Sequence, residues 1–467
     1  MKSTLHLIAI VLLAPIMARA QTFVAHEWGT FTTLQGSDGI MLPGLYLEEE
    51  SLPEFVHCYD GFSPDATLRH KGLYRPSVGT TVKMETPVIY FYSDTGLDAD
   101  VRVDFPNGVI SQWYPERASG TGDAGWTTID FTKPYNGWIN WHVTLLARNS
   151  REPYTAPVNQ ETPTWTSPRA TDANLVRGAN GETEKFLFYR GLGNFEVPLH
   201  ARFTAPGMME IANTGAEAIP YVFVYDMDKN GARVLWTGPL APGASEKIEP
   251  AAAPLDSASL AAKFTEFGAA LTEAGLYPKE SAAMLATWRQ SYFSTTGLRV
   301  FWVVPRGFTD RTLPIAINPA PASLQRVLVG RSEILSPEFE ARLVAVFKAN
   351  PDMPDWAPDR YYLAYRERAA RLVTELGTAS GATGEIALNV YPNPTGGSYH
   401  VMARIGKDVP VELEVTDILG NRLMAFREMP HDGRMEREID MRSLASGMYI
   451  LHVRSDGREW TRKIIRA

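Results

Sequence analysis

From Val411 onward the apolar residues fall at every second position, and this period of two constrains the chain more than any other feature. Val411, Leu413 and Val415 alternate with Glu412, Glu414 and Thr416, the pattern of a strand with one buried face and one wet face. Asp417 to Asn421 supplies turn residues around Gly420, and Leu423 resumes apolar character beyond them. Ser446-Gly447 precedes a second run in which Tyr449, Leu451 and Val453 share a face, and Lys463-Ile464-Ile465 suits a closing edge strand. Pro392 and Pro394 lack a backbone donor, which fits the entry to an edge strand rather than a sheet centre. Residues 386–467 therefore predict a small antiparallel, Ig-like sandwich.

The same stretch carries a series of motifs. Val390 to Gly397 reads Val-Tyr-Pro-Asn-Pro-Thr-Gly-Gly, followed in order by Val415 to Asn421, Leu444 to Val453 and Lys463 to Ile465. Together these resemble the type A sorting domain of type IX secretion cargo in Bacteroidota, with Pro392, Asn393, Pro394, Gly420, Gly447 and Tyr449 at the motif positions. The resemblance implies a partner, the type IX secretion machinery, engaged through 386–467. It also implies transport across the outer membrane and, usually, removal of the module. It gives the protein an address and says nothing of the chemistry of the rest.

Residues 1–20 read as a secretory signal peptide: Lys2, a Leu/Ile/Val-rich run, then Ala18-Arg19-Ala20 as a small-residue cleavage site. Removing Lys2 and Arg19 takes the formal net charge from -8 to -10. An acidic chain without a Lys/Arg run is a poor match for nucleic acid, and no later apolar run is long enough to span a bilayer. The expected location is secreted or on the outer-membrane surface, reached through the periplasm. Cys58 is the sole cysteine, so no intrachain disulfide can staple the fold, although that compartment would allow one.

Between the two termini the pattern is mainly β with a helical section, an α+β multidomain chain. Alternating runs such as Val101 to Phe105 and Gly137 to Leu145 predict a β-sandwich over 21–150. Polar residues with several Pro, Thr and Asn make 151–183 a linker or long loop. Strand signals return over 184–254 as a smaller sandwich. Asp226 to Gly231 matches the first half of a calcium loop, but Thr237 stands where the bidentate Glu should be. Asn230-Gly231 between two strand-like runs instead predicts a hairpin. Residues 255–377 are mostly helical with one strand: Leu260, Phe264, Phe267 and Leu271 form an apolar stripe, Gly275 caps it, Pro278 opens the next helix, and a fourth helix ends at Gly377. Residues 378–385 are a small, polar linker.

Three groups of residues could carry chemistry. His26 and Glu27 are candidates for acid–base work, and His26, His57, Cys58, Asp60 and His70 for holding a transition metal, since His, Cys and Asp are zinc-type ligands. No HExxH or paired CxxC supports them, and on a strand His26 and Glu27 would point to opposite faces. The segment before Glu85 reads as loop laid against the sandwich, which would bring His26 and Glu27 toward the loop from His57 to His70. Arg306, Arg311 and Arg331 are candidates for anion binding, against internal ion pairing with neighbours such as Asp310 and Glu333. Trp113, Trp126, Trp138, Trp141 and Trp165 would stack sugars if exposed and fill a core if buried. No GxSxG motif and no phosphate-cradling loop stand out, and no cofactor is indicated.

The passenger preceding the sorting module resembles only uncharacterised secreted bacterial proteins, through His26 to Thr32. Two functions fit: a surface or secreted protein that binds an extracellular polysaccharide or a protein partner, or a secreted, metal-assisted hydrolase of extracellular polysaccharide or protein. Convergence of the His, Cys and carboxylate candidates in one pocket would favour the second, and their dispersal the first.

Overall fold

The computed structural model describes residues 22–45, 52–58, 79–122, 130–131, 133–156, 163–205, 207–249, 253–289, 291–349, 360–381, 387–391, 395, 397–404, 408–417, 420–431 and 433–466. The chain forms two compact units, residues 1–342 with 353–366, and residues 343–352 with 367–467. The signal-peptide region, Asp60, His70, Trp126, Pro392, Asn393 and Pro394 lie outside the described residues.

The first unit is built on one ten-stranded sheet. At its centre the strand Val24–Gln35 lies parallel to Ser323–Ile334, in register from Val24↔Ser323 to Gln35↔Ile334. Beyond Ser323–Ile334 lie Gly297–Val303, Ile219–Asp228 and Gly231–Leu240; on the other flank lie Val82–Met84, Leu187–Gly193, Gly108–Tyr114 and His57–Cys58. Val88–Tyr92 pairs with both Val24–Gln35 and Leu187–Gly193.

Each face of this sheet is covered. On one face two smaller sheets complete a sandwich. One contains Leu97–Pro106 and Asn136–Leu145, the other Leu199–Ala205, Met208–Asn213 and Ser245–Ile248. The core between them holds Phe31, Val103, Phe105, Trp141, Leu199 and Trp302. On the other face the helices Ser257–Glu273 and Pro278–Trp288 bury Phe267, Leu271, Met284 and Trp288 against Trp28, Phe223, Phe301 and Val327. The first helix starts on the Asp256 side chain, which accepts from Ser259 N, and Gly275 follows its end at φ +123. The second starts with Pro278 and a capping box in which Glu280 accepts from Tyr277 N at 2.8 Å.

This architecture departs from separate sandwiches over 21–150 and 184–254 joined by a linker. Strands from both ranges, and from the helical section, share the one sheet. Local alternation marks where strands are but not which strands pair, and a parallel pair needs a long crossover that no short-range signal announces. Val24–Gln35, expected as loop, is a twelve-residue strand with eleven buried positions. A strand covered on both faces loses the alternation that would reveal it. Within 151–183, Trp165 and Asn174 are buried, and the Asn174 amide bonds Ser93 and Leu146 of the sandwich. Polar composition there reflects satisfied internal bonds.

Other expectations hold. Ile219–Asp228 and Gly231–Leu240 pair with Asp228 opposite Gly231, a two-residue hairpin. In the second unit a three-stranded sheet (Ala387–Tyr391, Ser398–Arg404, Arg434–Asp440) and a four-stranded one (Arg422–Glu428, Val411–Asp417, Gly447–Ser455, Arg458–Arg466) share one core containing Val411, Leu413, Val415, Leu451 and Val453. Gly420 sits at φ +85 in a turn whose Asn421 N donates to Asp417 Oδ1 at 2.9 Å, and Tyr449 donates its hydroxyl to Ala445 O. The helix expected to end at Gly377 instead spans Tyr362–Gly381, taking in part of the expected linker. A glycine costs a helix only about 1 kcal/mol relative to alanine and does not by itself stop one.

Gly29 sits where the central strand passes Pro87. A Cβ there would lie 2.7 Å from Pro87 Cα and 3.1 Å from Leu328 Cδ2. Gly29→Ala is therefore expected to cost about 1–3 kcal/mol by overpacking, read as a lowered urea midpoint. A midpoint equal to wild type would show that the crossing has slack.

Candidate functional site

The alternation of the central strand sends His26 and Glu27 to opposite faces of the large sheet. His26 points to the helical layer. It is 2% exposed, its Nδ1 lies 2.8 Å from Glu280 Oε2, and its ring packs 4.3 Å from that of Tyr277. Glu280 Oε1 accepts the Tyr92 hydroxyl at 2.7 Å. His26 thus ties the central strand to the capped start of a helix. Glu27 points into the sandwich, where it accepts the Tyr189 hydroxyl at 2.6 Å and Arg326 Nε at 2.6 Å. Burial drives the Tyr189 phenol well above its usual value, and the Glu27 charge adds to that. The expected shared pocket of His26 and Glu27 does not form, because a covered strand separates the two.

His57 lies at the sheet's edge. Four strand spacings of about 4.8 Å, about 19 Å in all, separate its strand from the central one. Its Nε2–H donates to Glu182 Oε1 at 2.8 Å and its Nδ1 lies 3.0 Å from Glu116 Oε2. Burial alone would lower the imidazole pKa, but the Glu182 hydrogen bond and the charges of Glu116 and Glu182 raise it above 6.5. Cys58 follows on the same short strand and is half-buried. Among the described residues no three His, Cys, Asp or Glu side chains are placed to hold a metal ion.

The arginines divide. Arg306 Nε pairs with Asp310 at 2.7 Å and Arg311 with Glu217 at 2.8 Å, both near the surface. Arg331 is buried on the helix face of the sheet. It donates from Nε to Glu333 Oε1 at 2.6 Å, and its Cζ lies 4.2 Å from the Tyr292 ring centroid. Of the tryptophans, Trp113, Trp141 and Trp165 are core, and Trp138 is partly buried beneath Arg102. They form no stacking platform among the described residues.

Arg331 belongs to a charged band across the helix face. Arg331, Thr32 and Lys83 lie opposite one another on three neighbouring strands, with Arg299 opposite Glu333 two residues along and Arg190 close to Glu85. Glu85 accepts from Thr32 Oγ1 at 3.0 Å and pairs with Arg360. Burial opposes its ionisation, yet the charges of Arg360, Lys83, Arg190 and Arg331 hold its carboxyl well below the usual range. Where this band meets the aromatic half of the same face there is a cleft with about 50 Å³ of water-accessible volume. Glu85, Arg190 and Arg360 line it together with Trp165, Phe186, Phe188 and Trp288. Sequence reasoning singled out Trp165 and, beside the cleft, Arg331. It missed Arg190 and Arg360, since no local pattern links residues 170 positions apart.

Residues 389–467 match the family model described as a secretion system C-terminal sorting domain. No curated protein matches the chain. Among solved structures, dimeric latent PorU from Porphyromonas gingivalis is 8% identical at a TM-score of 0.17, the match covering 84% of this chain and 32% of that one. The chain thus spans about a third of PorU's length. The μ-homology domain of yeast delta-COP-I is 8% identical at 0.23, covering 67% and 98%. A tetra-tandem repeat from the extending region of a large adhesion protein is 9% identical at 0.16, covering 94% and 99%. Likenesses this slight carry no argument about fold or function.

Two outcomes follow from the pairs. Glu27→Gln leaves Arg326 buried without its carboxylate and is expected to cost about 3 kcal/mol, measured by urea denaturation; a loss under a third of that would mean Asp310 suffices for Arg326. The His57 contribution has the sign of a raised pKa: full below the unfolded value near 6.5 and lost as pH rises through the folded one. Wild type should thus lose more stability between pH 6 and 9 than His57→Gln does. Parallel curves would contradict the pairing.

Proposed function

We propose that this chain, a cargo protein of the type IX secretion system by its C-terminal sorting domain, is exported as a binding protein whose passenger holds an extracellular polymer or cell-surface partner. Its route runs through the periplasm on the signal peptide of residues 1–20, then across the outer membrane on the tail.

The observation that carries the binding reading is the fate of the candidate acids and bases. His26 is engaged by Glu280, Glu27 by Arg326 and Tyr189, and His57 by Glu116 and Glu182. A general base must reach a substrate proton with a lone pair to spare. His26 and Glu27 are sealed in separate cores, and His57 is clamped on both nitrogens. The hydrolase alternative would draw these groups together, and the described ones are instead dispersed over two faces and between the centre and the edge of one sheet.

Two measurements test this. Deleting residues 389–467 should leave a folded passenger in the periplasm; wild-type levels outside the cell would refute the sorting role. Exported full-length protein should co-sediment with extracellular polysaccharide or envelope material while releasing no fragments. Fragments accumulating with time and protein concentration would establish the hydrolase instead.

A further inference from the structure

We infer that residues 52–58 are a proton-controlled strap: with His57 protonated they lie on the edge of the large sheet, and loss of that proton favours their release while the sheet stays folded. This goes beyond the binding reading and does not rest on it.

The two neighbours of the His57 ring dictate its charge. Glu182 Oε1 and Oε2 lie 2.8 and 3.1 Å from Nε2, and Glu116 Oε2 lies 3.0 Å from Nδ1. An ionised carboxylate only accepts, whereas a neutral imidazole has one N–H and one lone pair. Both contacts are therefore hydrogen bonds only in the imidazolium. In the neutral ring one of them sets a lone pair against an anionic oxygen. Burial opposes ionisation of Glu182, but hydrogen bonds from His57, from Asn180 and from the Glu116 backbone N–H at 2.6 Å hold its carboxyl below the usual range.

The other groups around the ring do not supply the missing charge. Tyr114 stacks against it at 5.9 Å, and burial pushes the phenol up to about 12, so it stays neutral. Beyond Tyr114, Arg169 and Glu184 pair with each other at 2.6 Å. Arg117, next after Glu116, has its Cζ 3.9 Å from the Trp113 ring centroid.

Elsewhere the strap is held lightly. Gly108–Tyr114, the strand it adds to, is buried at every position, whereas none of residues 52–58 is buried. Only His57 and Cys58 pair with that strand, opposite Trp113 and Gln112. Phe55 rests on Tyr114 at 4.9 Å and on Trp165 at 5.1 Å, with Leu52 and Val56 partly buried beside it. The strap is the last strand in the sheet order, so it can leave without unpairing any other. Segments with few buried contacts open on their own, at a smaller cost than the whole fold. Opening here would bare the Tyr114 and Trp165 rings and the outer edge of Gly108–Tyr114.

The sign follows from the raised pKa of His57: the closed strap has its full hold below about 6.5 and loses it as pH rises through the folded value. A partly exposed ion pair is worth up to about a fivefold change in such an equilibrium.

The test is amide hydrogen exchange of the full chain, read by mass spectrometry at pH 6 and pH 9 as protection relative to unstructured amides at the same pH. Protection of 52–58 should be at least about tenfold below that of 24–35 at both values, and should fall about fivefold between them. Low concentrations of urea should leave it unchanged, since local opening exposes little surface, while protection of 24–35 declines. His57→Gln should give the weakly protected strap at both pH values. Glu182→Gln offers the neutral ring an N–H to accept, so its strap should keep one level of protection at both. Cys58 is kept in both variants, so any effect of its thiol would persist in them. Equal wild-type protection of 52–58 at the two pH values, a decline with urea in step with 24–35, or a wild-type pH response in either variant would each overturn the inference.

Discussion

The parallel pairing of Val24–Gln35 with Ser323–Ile334 is the constraint on which the rest of the passenger depends. It joins residues 299 positions apart at the centre of a ten-stranded sheet, so neither half of the sheet is complete until nearly the whole passenger is present. The register is reinforced by chemistry as well as by backbone bonds. Glu27 faces Arg326 and Thr33 bonds Ser332, each across the parallel pair. A slip of one residue would carry Glu27 out of reach of Arg326 and into the helical core. Such long-range pairings are intrinsically slow to form.

Because that central strand is covered on both sides, its two faces serve different ends. On the sandwich face Ala25 and Phe31 are apolar core, while Glu27 binds Tyr189 and Arg326, Thr33 bonds Ser332 and Gln35 bonds Leu199. The helix face is divided along its length. Trp28, Phe223 and Phe301 pack beneath helices, whereas Thr32, Lys83, Glu85, Arg299, Arg331 and Glu333 form a buried charged band. Burying that many ions is costly unless each is paired. The band answers this by cross-strand alternation of sign, Arg299 against Glu333 and Arg190 beside Glu85, and by backbone oxygens at Tyr292, Thr295 and Thr296 that accept from Arg299.

How much of this was legible in the sequence follows from which signals are local. The terminal sandwich was readable in detail because its strands are half-buried: Val411, Leu413 and Val415 alternate with exposed partners, and Gly420 announces its turn. The helix end at Gly275, the Pro278 start and the Asn230-Gly231 hairpin are equally local. The central strand was not legible, since burial on both faces erases alternation, and its parallel partner lies beyond any window of pattern. The same limit governs the site. His26 and Glu27 were conspicuous as adjacent polar residues, and their opposite facing followed from strand geometry. Their separate burial depends on a strand whose signal is erased by its being covered on both faces. Arg190 and Arg360 gave no signal at all, because only the fold sets them beside Glu85.

The position of the cleft is itself a consequence of the divided face. An apolar half built from large rings and a charged half built from guanidiniums cannot pack flush: rings want close contact, whereas ions want partners at fixed distance and angle. The seam between them is where neither requirement is fully met. There Trp288 Nε1 and Thr86 Oγ1 are left without bonds and a cavity remains. At Thr86 a Val of the same shape would remove one such atom, an exchange that is neutral or stabilising, whereas at Trp288 the smaller Phe would leave a cavity. This chain keeps both polar atoms buried at the seam, in residues that line the cavity together with Arg190 and Arg360.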